Sequence, residues 1–207
     1  MTALETQSVF VVDDDPGMRD ALRYAISAAG YSSVPYESAD EFLHDYDPQA
    51  TGCLVLDVRM PGTSGMELQR RLRVVDAKLP IVFLTGHGDV SMCAEAMKAG
   101  AVDFIEKPFD HKQLIEAIKT ALDQGKTSAR IRKMRASFAA NRRELTPRED
   151  QVMRLLVAGK NTKQIASQLS ISTKTVDNHR AKILEKMEAE DVVDLVRAAL
   201  LSGFEGL

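Results

Sequence analysis

Cysteine is scarce: the 207 residues hold only Cys53 and Cys93. The pair lacks metal-ligand spacing and lies within apolar segments, which predicts two reduced thiols rather than a disulfide. Long apolar runs are missing too, and none approaches the roughly 20 residues that a membrane span requires. Residues 1–8 lack a basic stretch leading into an apolar one, so no secretory signal is expected. These absences point to a cytoplasmic protein. What remains, 44% hydrophobic and 28% charged residues, is ordinary for a globular chain.

Charge is plentiful but unevenly placed. The formal net charge of −3 divides into −9 over residues 1–124, from 11 Lys+Arg and 20 Asp+Glu, and +6 over residues 125–207, from 16 and 10. An acidic half joined to a basic half implies two tasks, with the basic half facing a polyanion.

The first half alternates short apolar strands with amphipathic helices. Val9 to Val12 is a continuous apolar run, as expected for a strand covered on both faces. Met18, Leu22, Ala25, Ile26 and Ala29 follow at helical spacing, closed by Gly30. Strands are expected near Ser33 to Tyr36, Cys53 to Leu56, Ile81 to Leu84 and Val102 to Ile105. Helices between them open at Ser38 and Ser64, each followed by Glu three residues on, the capping-box pattern. The last helix carries Leu114, Ile115, Ile118 and Leu122. Five such repeats in residues 1–124 predict an α/β doubly wound, five-stranded parallel domain.

Residues 125–144 are basic and proline-free, and Ile131, Met134 and Phe138 recur at helical spacing. They predict a helical linker, either continuous with the preceding helix or parted from it at Gly125, a poor helix former. Residues 145–207 predict an all-α four-helix domain. Thr146-Pro147-Arg148-Glu149 combines an N-cap, proline at the first helical position and glutamate at the third. Asn161 caps a second helix, Ser170-Ile171-Ser172 makes a tight turn, and a long basic helix runs from Thr173 to about Met187. A fourth spans Val192 to Leu200. Two short helices joined by such a turn describe a helix-turn-helix.

Ligands of open parallel sheets bind beyond the C-terminal strand ends. Those ends carry Asp13-Asp14-Asp15, Asp57, Thr85 and Lys107, which a parallel sheet gathers at one edge. Crowded carboxylates repel one another unless a cation sits among them. Oxygen ligands with room for water suit Mg²⁺. One carboxylate could then attack a phosphoryl group, with a hydroxyl and a lysine holding the phosphoryl oxygens.

Val11-Val12-Asp13-Asp14-Asp15, Asp57-Val58-Arg59-Met60-Pro61-Gly62, Thr85-Gly86-His87-Gly88-Asp89 and Phe104-Ile105-Glu106-Lys107-Pro108-Phe109 resemble the motifs of a receiver domain. The likeness is nearest to the FixJ-type group of two-component regulators and spans about residues 8–122. The resemblance implies Asp57 as phosphoacceptor and Asp13 and Asp14 as organisers of Mg²⁺. In it, Asp14, Asp57 and the Arg59 carbonyl are direct ligands. It implies that Thr85 and Lys107 bind the phosphoryl group, that Phe104 rotates as Thr85 moves, and that the Lys107–Pro108 bond is cis. Asp15 has no role in the pattern and reads as a peripheral or solvated residue.

On the long basic helix, Val176, Ile183, Leu184 and Met187, with His179 between them, share one face. Lys174, Asp177, Asn178, Ala181 and Lys182 share the other, free to enter a major groove. Lys and Arg supply phosphate attraction, and Asn pairs suitably with adenine. Asp177 is unusual there, rationalised as accepting from a cytosine amine or restraining a neighbouring basic group. Residues 145–203 also resemble the LuxR/NarL-type DNA-binding domain, through Leu145-Thr146-Pro147-Arg148-Glu149 and Thr175-Val176-Asp177-Asn178-His179-Arg180. Lys174, Thr175, Asp177, Asn178, Arg180 and Lys182 are the expected DNA contacts. The acidic Glu188-Ala189-Glu190 turn opposes further contacts ahead of the fourth helix.

The combined resemblance implies a phosphorylation-dependent transcriptional regulator, a switch rather than an enzyme. Its implied partners are a sensor histidine kinase, double-stranded DNA, RNA polymerase and, on phosphorylation, a second copy of the chain. Two other classes compete. An aspartyl-phosphate hydrolase of the haloacid dehalogenase type needs a second Asp two positions after the nucleophile, where this chain has Arg59. A DNA-binding or adaptor protein independent of phosphorylation would not need the complete acidic set.

Overall fold

The computed structural model describes residues 7–48, 50–74, 79–86 and 90–204. His87, Gly88 and Asp89 of the quoted motif lie outside the described residues. The chain divides into two units, Met1–Ala129 and Arg130–Leu207.

In the first unit, β1 (Ser8–Val12), β2 (Ser32–Tyr36), β3 (Gly52–Asp57), β4 (Ile81–Thr85) and β5 (Asp103–Glu106) alternate with α1 (Pro16–Ala28), α2 (Ala39–Asp45), α3 (Gly65–Val74) and α4 (Val90–Lys98). The strands form one parallel sheet in the order β2–β1–β3–β4–β5. The doubly wound architecture expected from the pattern is present. Every residue of β3 and β4 is buried, so their apolar runs serve both faces. One face packs Phe10, Leu54, Leu56 and Phe83 with Phe42, Leu68 and Leu72. The other packs Val9, Val11, Val55, Val82 and Leu84 with Leu22, Ile26, Leu114 and Ile118.

Helix α5 runs unbroken from His111 to Arg143, so Gly125 does not part it. The reason is packing. A β-carbon at Gly125 would stand 2.6 Å from the Gly52 carbonyl oxygen. Close passage over the start of β3 therefore uses the missing side chain, and it outweighs the roughly 1 kcal/mol that glycine costs a helix.

The second unit contains α6 (Pro147–Val157), α7 (Thr162–Leu169), α8 (Thr173–Lys186) and α9 (Val192–Ser202). Its core joins Val152, Leu155, Ile165, Val176, Ile183 and Leu195 with Phe138 from the end of α5. Capping boxes at Thr146–Glu149 and Asn161–Gln164 are complete in both directions. Ser172 caps α8 through the Thr175 amide. Ser170 takes the left-handed conformation between α7 and α8, which closes the helix-turn-helix in three residues.

Candidate functional sites: an acidic strand-end cluster and a basic helix face

Parallel strands deliver Asp13, Asp57, Thr85 and Lys107 to one sheet edge because each follows or ends a strand at matching register. Asp13 is 1% exposed, Asp57 9% and Thr85 0%. Asp14 is exposed, and carboxylate oxygens of Asp13, Asp14 and Asp57 lie within 4.8 Å of one another. The Lys107 ammonium joins the two buried members, 2.7 Å from Asp13 Oδ2 and 2.9 Å from Asp57 Oδ2.

Burial raises the Asp13 pKa, and the Lys107 hydrogen bond only partly opposes it. For Lys107, burial acts to lower the pKa, but hydrogen bonds to Asp13 and Asp57 outweigh it and hold the ammonium above its ordinary value. Lys107 is thus a fixed cation between two carboxylates. The Arg59 amide donates to Asp57 Oδ1 at 3.3 Å, and the Lys107 amide donates to the Thr85 carbonyl at 2.6 Å. The Lys107–Pro108 bond is cis. Phe104 is half-buried on β5, its ring 6.0 Å from that of Phe83.

Three supporting features were not read from the sequence. Asp15 is the N-cap of α1, accepting from the Gly17 amide at 2.8 Å; Asp before Pro16 was the available signal. The Arg19 guanidinium donates to the Asp13 carbonyl at 2.7 Å, one helical turn into α1. Gly65 lets the Asp57 carbonyl pass where any β-carbon would collide with it. That approach joins elements that only the fold brings together.

On α8, Lys174, Asp177, Asn178, Ala181 and Lys182 are exposed, while Val176 and Ile183 are buried. Thr175, His179 and Arg180 are half-buried along the flanks. The Thr175 amide donates to the capping Ser172 hydroxyl at 3.0 Å, and the Arg180 guanidinium donates to the Thr162 hydroxyl on α7 at 3.1 Å. The far end of α8 is fixed by Lys186, whose ammonium donates to Glu149 Oε2 at 2.7 Å and to the Glu144 carbonyl at 3.1 Å.

A doubly wound domain with a carboxylate cluster at its strand ends, followed by a helix-turn-helix with a basic outer face, defines a receiver coupled to a DNA-binding module. Comparison with known proteins agrees. Residues 9–119 match the response regulator receiver domain, and residues 143–199 match the luxR family of bacterial regulatory proteins. The chain belongs to the two-component response regulators with a LuxR-type DNA-binding domain, a family of transcription regulators rather than enzymes. The transcriptional regulatory protein FixJ of Bradyrhizobium diazoefficiens is 41% identical over 195 residues, covering 94% of this chain and 95% of that one. The response regulator protein TmoT of Ectopseudomonas mendocina is 41% identical over 193 residues, covering 91% and 86%. Among solved structures, the response regulator StyR matches with a TM-score of 0.80 at 40% identity, over 94% of this chain and 98% of that one. Full-length FixJ from B. japonicum matches with a TM-score of 0.56 at 40% identity, over 95% and 97%. Among the described residues no helix is long and apolar enough to cross a membrane.

Proposed function

We propose that Asp57 accepts a phosphoryl group from a sensor histidine kinase and that the modification governs DNA binding by the second domain. The observation carrying this reading is Lys107 bonded to both Asp13 and Asp57 beside the oxygen cluster of Asp13, Asp14 and Asp57. Such a donor set of hard oxygens fits Mg²⁺, with Asp13, Asp14, Asp57 and the Arg59 carbonyl as its holders. When bound, the ion screens charge on the phosphoryl oxygens.

In the transfer, an Asp57 carboxylate oxygen attacks phosphorus, the bond from phosphorus to the kinase imidazole nitrogen breaks, and that nitrogen keeps the electron pair. Lys107 and the Thr85 hydroxyl then hold phosphoryl oxygens. Thr85 moving toward Asp57 vacates space into which Phe104 turns, remodelling α4 and β5. Two receivers pair on that surface, and two helix-turn-helix units meet a two-fold symmetric site. Lys174, Asp177, Asn178 and Lys182 make up the DNA-facing stripe, flanked by the half-buried Thr175 and Arg180, and RNA polymerase is the downstream partner. The modules are residues 1–124, the helical linker 125–144 and residues 145–207, acting in the cytoplasm.

Incubation with acetyl phosphate and Mg²⁺, followed by intact mass, tests this reading. The parent chain gains one phosphoryl group, labile to hydroxylamine, and Asp57→Asn gains none. Labelling of the Asn variant to the parent's extent sinks the assignment. A gain of phosphate with no change in DNA affinity would instead favour a regulator whose DNA binding ignores the receiver.

A further inference from the structure

The geometry points to a role for Arg180 that its place in a basic helix conceals. We propose that Arg180 is a positioning residue which ties α8 to α7 through Thr162 and so sets the sequence selectivity of the groove-facing stripe. The inference rests on the DNA-binding reading above and deepens it.

Arg180 stands beside the exposed stripe of Lys174, Asp177, Asn178, Ala181 and Lys182, not within it. One terminal nitrogen donates to Thr162 Oγ1 at 3.1 Å and lies 3.5 Å from Asp177 Oδ1. Its Nε is shut away from solvent and has no acceptor among the described residues. A guanidinium waiting for phosphate keeps its donors in water, and an unmet buried N–H is costly. An arginine free to swing outward would relieve that cost. This one is instead half-buried, its Nε covered and one terminal nitrogen bonded to the α7 hydroxyl beside the Asp177 carboxylate.

The same contact accounts for Asp177. A carboxylate on a phosphate-facing helix weakens non-specific attraction. Here it lies on the guanidinium, with the two side chains 59% and 36% exposed, and the pair carries no net charge. Thr162 is the first residue of α7, so the bond ties α8 to the end of α7 away from the three-residue turn. The angle between α7 and α8 decides whether Asn178 reaches a base edge, whereas random DNA senses mainly the charge of Lys174 and Lys182. Loss of the tie should therefore lower selectivity more than general affinity.

The test uses the full chain treated with acetyl phosphate and Mg²⁺. Two probes serve: a duplex enriched by the parent chain from a random pool, and a random-sequence duplex, each titrated across a salt series. Thr162→Val and Arg180→Met should each lower the ratio of enriched to random affinity by about three- to tenfold, the scale of one hydrogen bond. The double variant should be no worse than Arg180→Met, and Arg180→Lys should recover part of the ratio. The slope of affinity against salt should not change in Thr162→Val, which alters no charge. A role in stability alone would shift the melting temperature while leaving that ratio intact, which overturns the proposal. Equal losses on both duplexes, with the slope reduced by about one phosphate contact, would overturn it in favour of direct backbone binding. Additive losses in the double variant would also overturn it. If Arg180→Met fails to fold, Thr162→Val still decides. Failure of the parent to enrich any duplex would remove the DNA-binding reading itself, and the tie with it.

Discussion

Glu149 offers the most direct test of how α8 is anchored. It is 4% exposed, accepts from the Lys186 ammonium at 2.7 Å, and closes the Thr146 capping box through the Thr146 amide at 2.9 Å. The Lys186 hydrogen bond, aided by that backbone bond, holds its carboxyl at about 2 rather than the ordinary 4.5. Unscreened, that difference corresponds to about 3 kcal/mol of folding stability. Lys186 is a third exposed, so solvent screening leaves roughly 1–2 kcal/mol. The folded pKa is depressed, so the contribution is complete above about pH 4.5 and fades as pH falls toward 2. Glu149→Gln retains an acceptor for the Thr146 amide but cannot ionise. It should cost roughly 1–2 kcal/mol at pH 7 and less than half of that near pH 3. Urea unfolding can isolate the second unit because all four tyrosines, Tyr24, Tyr31, Tyr36 and Tyr46, lie in the first. Tyrosine fluorescence then follows the receiver, and far-ultraviolet circular dichroism follows both units. A parent-minus-variant difference that stays constant from pH 7 to pH 3 would refute the electrostatic argument.

Other outcomes follow from the same geometry. Asp14→Ala should weaken Mg²⁺ affinity at least tenfold in a titration, since it removes an oxygen ligand and its charge; unchanged affinity would place the ion elsewhere. Gly65→Ala should destabilise the receiver by on the order of 2–4 kcal/mol in urea, because its β-carbon meets the Asp57 carbonyl. Stability equal to the parent would show that this turn relaxes freely. Lys182→Gln should reduce the salt dependence of DNA binding by about one contact on specific and random duplexes alike, whereas Asn178→Ala should chiefly relax sequence preference, by roughly 1–3 kcal/mol. Equal losses for Asn178→Ala on both duplexes would make it a backbone contact.

Features governed by local spacing were legible in the sequence. The caps at Ser38, Thr146 and Asn161 act over three residues, so their pattern is written in consecutive positions. The strand ends were legible because a buried parallel strand shows as an apolar run, and the residue after the run marks the ligand edge. Features that join distant segments were not. Lys186 and Glu149 are 37 positions apart, and either reads alone as a surface charge. Gly125 left the continuity of α5 open because its intrinsic helix propensity is poor; only its passage over Gly52 shows why glycine is required there. Asp177 had two explanations in sequence, and its position beside Arg180 favours restraint of a neighbouring base-bearing side chain.

The charge balance of the acidic site explains why its members depend on one another. Asp13, Asp14 and Asp57 bring three negative charges within 4.8 Å, and Lys107 returns one positive charge to the buried pair. Two negative charges remain, the amount a single divalent cation neutralises. Conversion of the Asp57 carboxylate to a doubly ionised acyl phosphate exchanges one negative charge for two. The site with its cation would thus pass from neutral to one excess negative charge. No further ammonium or guanidinium among the described residues bonds to these three carboxylates, so the excess must be met by dipoles. The Thr85 hydroxyl, fully buried at the end of the neighbouring strand, is one such dipole. Drawing it toward Asp57 would couple phosphoryl charge to motion in β4 and to Phe104 beside it on β5. On this argument Lys107→Met does more than remove a phosphate ligand. It leaves three carboxylates against one divalent ion, which should tighten Mg²⁺ binding while impairing the response of Phe104 to phosphorylation.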